Sequence, residues 1–336
     1  MIRRLLGFAV VMGAFSALQG CSVDNHIVKI AGNDAFFQAD PAEVDVLIVI
    51  DDSGSMELYQ QQLSTRFDTF LSYFPDSIDY RVGVTTSTMV PAEPFGDCTE
   101  ADIAAAPQGG RLADEAWIDN EDSGGAETFE ELVQVGICGG TYEMGLESAL
   151  LAVTGENPGF RRPDASLSLV LVSDEEDNSP GTTSDYLQAF RDHVSASGRL
   201  AFNASALVIV DESACDESQL AGGAHRNLRF TDLAQQTGGA VGDLCNEDFD
   251  DIVTQVSRAS SRMSDTFYLT ARPSPASLEV GVSEELVPCD AGVWTYQLLD
   301  GHPVIVFDPA YLPPPGSRIT VSYDHGSGEG ESTCVE

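Results

Sequence analysis

The sequence predicts an α/β fold with a doubly wound, mainly parallel sheet, followed by a small antiparallel all-β domain. The first observation is an alternation of apolar, strand-like runs with amphipathic, helix-like segments, which is typical of a parallel sheet covered by helices on both faces. The second is a change from Phe267 onwards, where short alternating runs are separated by Pro- and Gly-rich turns. At 336 residues the chain is long enough for one large and one small domain.

Individual elements follow from the spacing of apolar residues, which is continuous in a buried strand and recurs every three or four positions in a helix. In the segment 247–263, for example, Phe249, Ile252 and Val256 share one helical face. The predicted strands are 44–50, 80–86, 166–173, 203–210 and about 240–244, and the predicted helices are 56–74, 141–153, 183–197, 228–236 and 247–263. We expect these elements to form one domain over 43–264 and the β domain to cover 265–336.

An insertion at about 91–136 departs from this alternation, because it is rich in Gly and acidic residues. A loop of this length inside a domain is typically functional or disordered. Asp119, Glu121 and Asp122 could bind Ca²⁺, but they lack the spacing of an EF-hand loop and its terminal bidentate Glu. A solvated surface loop is the preferred interpretation.

The most informative segment is Asp51-Asp52-Ser53-Gly54-Ser55, which directly follows the apolar run 44–50. Asp51, Ser53 and Ser55 alternate, so a short loop could direct one carboxylate and two hydroxyls to a common point. Such oxygen ligands suit a small, hard cation. Asp and Ser are also preferred helix N-cap residues, and a helix is predicted to begin at Met56. The five residues alone do not separate the metal loop from the helix cap.

Further candidate ligands occur where a doubly wound sheet would place them. A second apolar run, 166–173, ends in Asp174, and Gly139-Gly140-Thr141 opens a predicted helix. This combination resembles the von Willebrand factor A (VWA) domain and its metal-ion-dependent adhesion site, and the resemblance covers roughly Glu43 to Met263. It implies that Mg²⁺, or Mn²⁺ or Ca²⁺ in its place, is bound by the hydroxyls of Ser53, Ser55 and Thr141 and, directly or through water, by Asp51 and Asp174.

The third loop departs from the family pattern. The segment 140–144 lacks the second hydroxyl residue that is often found there, and it contains Glu143 instead. Two alternatives remain open: Glu143 could intrude on the metal site, or Thr141 could be only a helix cap.

The N-terminus resembles a bacterial lipoprotein signal peptide. Arg3 and Arg4 precede an apolar stretch that is too short to span a bilayer comfortably, and the stretch ends in Leu18-Gln19-Gly20-Cys21. We expect a signal peptide over 1–20, lipidation of Cys21, a tether over 21–42, and delivery to the outer membrane because Ser22 follows the cysteine. An ordinary cleaved signal with a chance cysteine is the alternative.

The remaining six cysteines are an even number, as expected for an exported protein with disulfide bonds. Their grouping favours three local bridges, which are Cys98–Cys138, Cys215–Cys245 and Cys289–Cys334. A zinc site is the rival interpretation, but there is no Cys-x-x-Cys pair and the histidines are scattered.

Charge excludes one class of partner. The chain has 54 acidic and 16 basic residues, and Lys29 is the only lysine. Nucleic-acid binding requires clustered Lys and Arg, so we expect no nucleic-acid partner. We interpret the excess of acidic residues as a solvated protein surface rather than as a binding surface.

The VWA resemblance implies a non-enzymatic adhesion protein. The lipoprotein signal places it in the cell envelope, periplasmic or on the cell surface, attached to the membrane through its lipid. Its protein partner would offer an acidic residue to the bound Mg²⁺. The alternative is an envelope-assembly scaffold in which the metal only stabilises the fold. A metal-dependent hydrolase is disfavoured because no nucleophile–base motif is recognised in the sequence.

Overall fold

The computed structural model describes residues 31–38, 43–74, 78–90, 96–140, 142–194, 202–245, 248–289, 292–299 and 301–326. The strands are β1 (Ala31–Phe37), β2 (Glu43–Ile50), β3 (Asp79–Thr86), β4 (Trp117–Asp119), β5 (Ser166–Ser173), β6 (Phe202–Val208), β7 (Val241–Asp243), β8 (Thr266–Tyr268), β9 (Glu279–Val282), β10 (Glu285–Val287), β11 (Trp294–Leu299), β12 (His302–Phe307) and β13 (Arg318–Asp324).

The helices are α1 (Glu57–Ser64), α2 (Phe67–Leu71), α3 (Glu100–Ala105), α4 (Gly125–Val133), α5 (Gly145–Leu151), α6 (Thr183–Val194), α7 (Glu217–Gly222), α8 (Leu228–Thr237) and α9 (Phe249–Ser261). Among the described residues, no helix combines the length and the apolar character needed to cross a membrane.

A six-stranded sheet in the order β4-β3-β2-β5-β6-β7 forms the centre of the larger unit. Its strands are parallel except β4, which pairs antiparallel with β3. Alternate residues of β2 enter two different cores, with Val46 and Ile48 on one face and Leu47 and Val49 on the other. A strand buried on both faces explains the continuous apolar run in the sequence. The mixed α/β architecture with a mainly parallel sheet is therefore confirmed.

The register of the central strands brings three loops together. Ile50, the last residue of β2, pairs with Thr86 of β3 and with Val172 of β5. The chains that leave these strands therefore emerge side by side at the carboxyl edge of the sheet, where doubly wound sheets bind ligands.

The predicted helix 56–74 is divided into α1 and α2. Arg66 adopts a non-helical conformation between them, and its Nε forms an ion pair with Asp250 Oδ1 of α9 at 2.7 Å. Just beyond α2, the Tyr73 amide donates a hydrogen bond to Ser257 Oγ of α9 at 3.1 Å. The helix that apolar spacing predicted is thus broken at Arg66, and contacts with α9 stabilise the chain around the break. The predicted helix 141–153 also starts later, at Gly145.

The insertion contains regular elements that the sequence pattern did not reveal. It contributes α3, the edge strand β4, and α4, whose Phe129 is fully buried and lies 4.9 Å from the ring of Phe67 between centroids. The acidic turn around Asp119 is different, because Asp122 Oδ2 accepts a hydrogen bond from the Asp119 amide at 2.9 Å in exposed chain. Because the insertion is rich in Gly and acidic residues, its sequence pattern did not predict the short edge strand β4 or the amphipathic helix α4.

The smaller unit contains two antiparallel sheets, β1-β13-β9-β10 and β11-β12-β8. Its core includes Trp294, Phe307, Ile319 and Val321. The prediction of an antiparallel β unit is confirmed, but its composition is not what the sequence indicated. β1 lies in the segment predicted as a tether, and it pairs with β13 along its whole length. The tether interpretation is therefore wrong for these residues, because β1 depends on a partner near the other end of the chain.

Asp34 fixes β1 to this unit. Its Oδ1 accepts a hydrogen bond from Thr270 Oγ1 at 2.6 Å, and its Oδ2 accepts hydrogen bonds from the Thr270 amide at 3.0 Å and Tyr323 Oη at 2.7 Å. Burial alone would raise the pKa of Asp34, but the hydrogen bonds from Thr270 and Tyr323 outweigh it and hold the pKa below the ordinary value.

We therefore predict that Asp34→Asn lowers the free energy of unfolding in urea by about 2 kcal/mol near neutral pH. A carboxylate with a lowered pKa contributes stability above its ordinary value, 3.8, and loses it as pH falls through the folded-state pKa. The difference between wild type and Asp34→Asn should shrink in that acidic range. The exposed Asp232→Asn is the control. A difference that is unchanged from neutral to acidic pH would contradict this account.

Candidate metal centre

The candidate centre lies at the carboxyl ends of β2, β3 and β5. The amide of Asp51 donates a hydrogen bond to Val172 O at 2.9 Å, and the amide of Ser87 donates to Ile50 O at 3.1 Å. These bonds extend the sheet pairing by one residue beyond β2 and by one residue beyond β3. The start of the loop after β2 is thereby held against β5, and the start of the loop after β3 is held against β2.

Asp51, Ser53, Ser55 and Asp174 come together in one hydrogen-bonded chain, although they arise from two strand ends. The Oγ atoms of Ser53 and Ser55 are 3.1 Å apart, and Ser55 Oγ donates to Asp174 Oδ1 at 3.0 Å. Asp51 Oδ1 accepts the Ser53 amide at 2.8 Å, and its Oδ2 accepts Ser173 Oγ at 2.6 Å. Thr141, the remaining predicted ligand, lies outside the described residues.

The helix-cap interpretation of Asp51 and Ser55 does not match this geometry. A short 3₁₀ turn, Gly54–Met56, precedes α1, and neither element has a side-chain hydrogen bond at its N-cap. Asp51 instead bonds the amide of Ser53, two residues ahead and outside the helix. The side-chain oxygens are therefore directed to one another rather than to the helix end.

The two carboxylates of this chain are buried, Asp51 completely and Asp174 with 1% exposure. Burial raises the pKa of Asp51, and burial together with the charge of Asp51 raises the pKa of Asp174 to about 7. Within the described ranges, no Lys or Arg forms an ion pair with either group. The centre thus concentrates acidic groups to which the described chain supplies no ion-pair partner.

Two further buried carboxylates adjoin the centre. Asp52 Oδ1 accepts Thr88 Oγ1 at 2.7 Å, while its Oδ2 is buried without a hydrogen-bond partner. Burial, and to a lesser degree the charge of Asp51, raises the pKa of Asp52 to about 7. Asp52 was not among the predicted ligands, although the doubled Asp of the loop was an available signal.

Glu143 is the second of these carboxylates. Its Oε2 accepts a hydrogen bond from Ser87 Oγ, and its Oε1 has no hydrogen-bond partner although the side chain is 1% exposed. Burial, followed by the charge of Asp51, raises the pKa of Glu143 to about 10. The side-chain hydrogen bond with Ser87 links Glu143 to the loop after β3, which lies beside the Asp51 loop.

The residues present fit a divalent cation. Carboxylate and hydroxyl oxygens are suitable ligands, and a bound cation would offset the repulsion among the buried acids. The part of the chain that the structure describes contains no group of three or more His, Cys, Asp or Glu arranged to hold a metal ion. A site of the predicted kind would depend on the serine hydroxyls as much as on carboxylates. The roles of these residues as metal ligands stay predictions.

Disulfide bonds fasten two segments near this edge. The predicted pairs Cys98–Cys138 and Cys215–Cys245 are both formed. Cys138 directly precedes Gly139, whose amide donates to Asp52 O at 2.9 Å. The first bridge therefore attaches the insertion beside the metal loop. The pair Cys289–Cys334 and the lipidation site Cys21 fall outside the described residues, since neither Cys334 nor Cys21 is described.

No family model matches the chain, and no curated protein matches it. Similar solved structures include the pilus adhesin SpaC from Lactobacillus rhamnosus GG, with 12% identity over 87% of this chain and 40% of that chain (TM-score 0.37). Proximal thread matrix protein 1 from the mussel byssus, with a zinc-occupied MIDAS motif, has 14% identity over 68% of this chain and 48% of that chain (TM-score 0.34).

The human COPII-coat protein Sec24c has 12% identity over 88% of this chain and 42% of that chain (TM-score 0.37). The chain therefore spans less than half the length of each of these proteins.

We predict that Gly139→Ala disturbs the centre, because a Cβ at this position would lie 2.3 Å from Cγ of the buried Asp52. Relief of this overlap must move the metal loop or the segment after the disulfide. We expect a loss of about 1–3 kcal/mol in the free energy of unfolding and weaker Mg²⁺ binding, measured by urea denaturation and calorimetry. Gly124→Ala, outside the centre, is the matched control, since the nearest non-neighbouring atom to a Cβ there is Glu127 Oε2 at 3.9 Å, an ordinary contact distance. Equal stability and affinity in both variants would contradict the close contact.

Proposed function

We propose that this chain is a VWA-type adhesion protein of the bacterial envelope, which binds an acidic side chain of a protein partner through a divalent cation, most suitably Mg²⁺. The observation that carries the proposal is the hydrogen-bonded chain Ser53–Ser55–Asp174 beside the buried Asp51. Hydroxyls and carboxylates from two separate strand ends share one small volume at the edge where such sheets bind ligands.

The donor chemistry explains why a partner carboxylate would be recruited. Ser53 and Ser55 are partly exposed and contribute uncharged oxygens. A cation held by hydroxyls and few carboxylates retains positive charge and supplies a coordination position for an external acidic oxygen. In this arrangement Asp51 and Asp174 anchor the ion from the protein side, and the serines leave its solvent side accessible. Thr141 is proposed to add a third hydroxyl.

Binding rather than catalysis is the function that these contacts support. The serine hydroxyls hydrogen-bond to each other and to Asp174, rather than to a histidine that could act as a general base. The alternative function is an envelope-assembly scaffold, in which the buried acids and a metal only stabilise the carboxyl edge of the sheet. The burial of Asp51, Asp52 and Glu143 favours that alternative, because these groups are removed from a partner's reach.

We predict that Asp51→Ala weakens Mg²⁺ and Mn²⁺ binding more than about tenfold, because it removes the buried carboxylate at the base of the site. Isothermal titration calorimetry of the metal alone measures this effect. The exposed Asp232→Ala should bind as wild type does. Circular dichroism verifies that both variants are folded. Equal metal affinity in Asp51→Ala and wild type would show that Asp51 is not a metal ligand.

Partner binding separates adhesion from scaffolding. Immobilised wild type should retain an envelope ligand in Mg²⁺ and lose it with chelator or with Asp51→Ala, and moderate salt should not weaken retention because it screens the repulsion between acidic surfaces. Equal retention in all three conditions would contradict metal-dependent adhesion and favour the scaffold.

Attachment to the outer membrane through Cys21 belongs to the same proposal, and it is supported by the Leu18-Gln19-Gly20-Cys21 pattern. The protein would then face the periplasm or the cell surface. We predict that the mature chain begins at acylated Cys21, and that Cys21→Ser abolishes the acyl mass and membrane fractionation. Intact-mass analysis of detergent-extracted protein measures this directly. An unmodified chain that begins elsewhere would contradict it.

A further inference from the structure

Exposed apolar side chains on the α/β unit are concentrated around the candidate metal centre. Among the described residues, the large apolar side chains of this unit that are exposed are Leu58 (56%), Val90 (62%), Tyr142 (67%), Leu220 (47%) and Leu228 (58%). All of them lie at the carboxyl edge of the sheet, in or beside the loops and helix starts that follow β2, β3 and β6 or precede α5. We call these five residues the apolar rim.

Leu228, Leu58 and Leu220 lie beside segments that carry or adjoin the residues of the centre. The amide of Leu228 donates to Glu176 Oε2 at 2.9 Å, two residues after Asp174. Leu58 lies three residues after Ser55, in the first turn of α1. Gln219, beside Leu220, donates to Tyr59 Oη at 2.7 Å.

The other two members of the rim are joined across the third loop. Thr88 and Glu143 form an isolated antiparallel bridge, which brings the chain segments that carry Val90 and Tyr142 next to each other. Exposed apolar groups thus border both the Asp174 side and the Thr88 side of the hydroxyl–carboxylate chain. Their exposure at one edge, while the rest of this unit's large apolar side chains are mostly buried, is typical of a protein-binding surface.

Charge indicates what kind of partner this surface fits. Exposed Glu57, Glu212, Asp216 and Glu217 lie among the rim residues and outnumber His225 and Arg226. A second copy of this chain, which carries a net charge of −38, would be repelled. An anionic lipid surface would be repelled by the same carboxylates.

We propose that the apolar rim is the specificity surface for the partner protein: it accepts aliphatic or aromatic side chains that flank the partner's metal-binding carboxylate, with basic residues at the periphery of the contact. This inference rests on the proposed function and specifies its partner. The central cation would bind the acidic residue, and the rim would select among acidic residues by what surrounds them. Buried apolar anchors near the centre of an interface dominate its affinity.

The experiment uses a displayed random peptide library on the immobilised full-length protein in Mg²⁺. Wild type should enrich sequences in which Asp or Glu is flanked by aliphatic or aromatic residues. A synthetic peptide of that sequence should bind the double variant Leu58→Ser/Leu228→Ser at least about tenfold more weakly than wild type. Leu286→Ser, at a residue 74% exposed on the β unit, is the control and should bind as wild type does.

The outcomes separate this inference from the proposed function. Metal-dependent enrichment of acidic residues without apolar neighbours, or undiminished affinity in the double variant, would overturn the apolar rim and leave metal-dependent binding intact. Apolar enrichment that persists with chelator and in Asp51→Ala would support the rim and contradict the proposed function. A third result would also overturn the inference. If no peptide is enriched, and the double variant abolishes self-association or binding to anionic vesicles, the rim binds a second copy of the chain or a lipid surface instead of a partner protein.

Discussion

The main physical constraint on this fold is a cluster of buried carboxylates at the carboxyl edge of the sheet. Asp51, Asp52, Glu143 and Asp174 are each 1% exposed or less, and burial is the largest cause of the raised pKa of every one of them. Such groups destabilise a fold unless hydrogen bonds, protons or a cation compensate them. Loop hydroxyls supply part of the compensation, and oxygens of Asp52 and Glu143 are left without partners. The metal we propose would supply the rest.

Two other buried acids of the α/β unit are paired directly with arginines. Asp45, at the opposite end of β2, is fully buried and forms ion pairs with Arg161 and Arg162, each at 2.8 Å. Asp177 pairs with Arg229 Nη1 at 3.0 Å. The chain has only 16 basic residues, and these three arginines pair with Asp45 and Asp177 rather than with the four acids of the centre. This contrast supports the proposal that the centre binds an external cation.

How much the sequence could predict depends on the range of the contacts. Asp51 and Asp174 were predictable, because each follows an apolar run and parallel strands end at a common edge. The presence of Glu143 at the site was predicted only as one of two alternatives, since its position depends on the bridge to Thr88 across a long insertion. β1 was missed because its strand pairing and the contacts of Asp34 come from residues as far away as Tyr323. Local pattern contains no signal for such contacts.

Urea unfolding of wild type and Asp174→Asn, each with and without Mg²⁺, tests most directly whether the centre is built for a cation. Asn can still accept the hydrogen bond from Ser55 while removing one buried charge. Without metal, the variant should be at least as stable as wild type, because repulsion from Asp51 is relieved. With Mg²⁺, wild type should gain free energy of unfolding through binding linkage and the variant should gain much less. Equal stabilisation of both proteins by Mg²⁺, or a variant that is less stable without metal, would contradict the account.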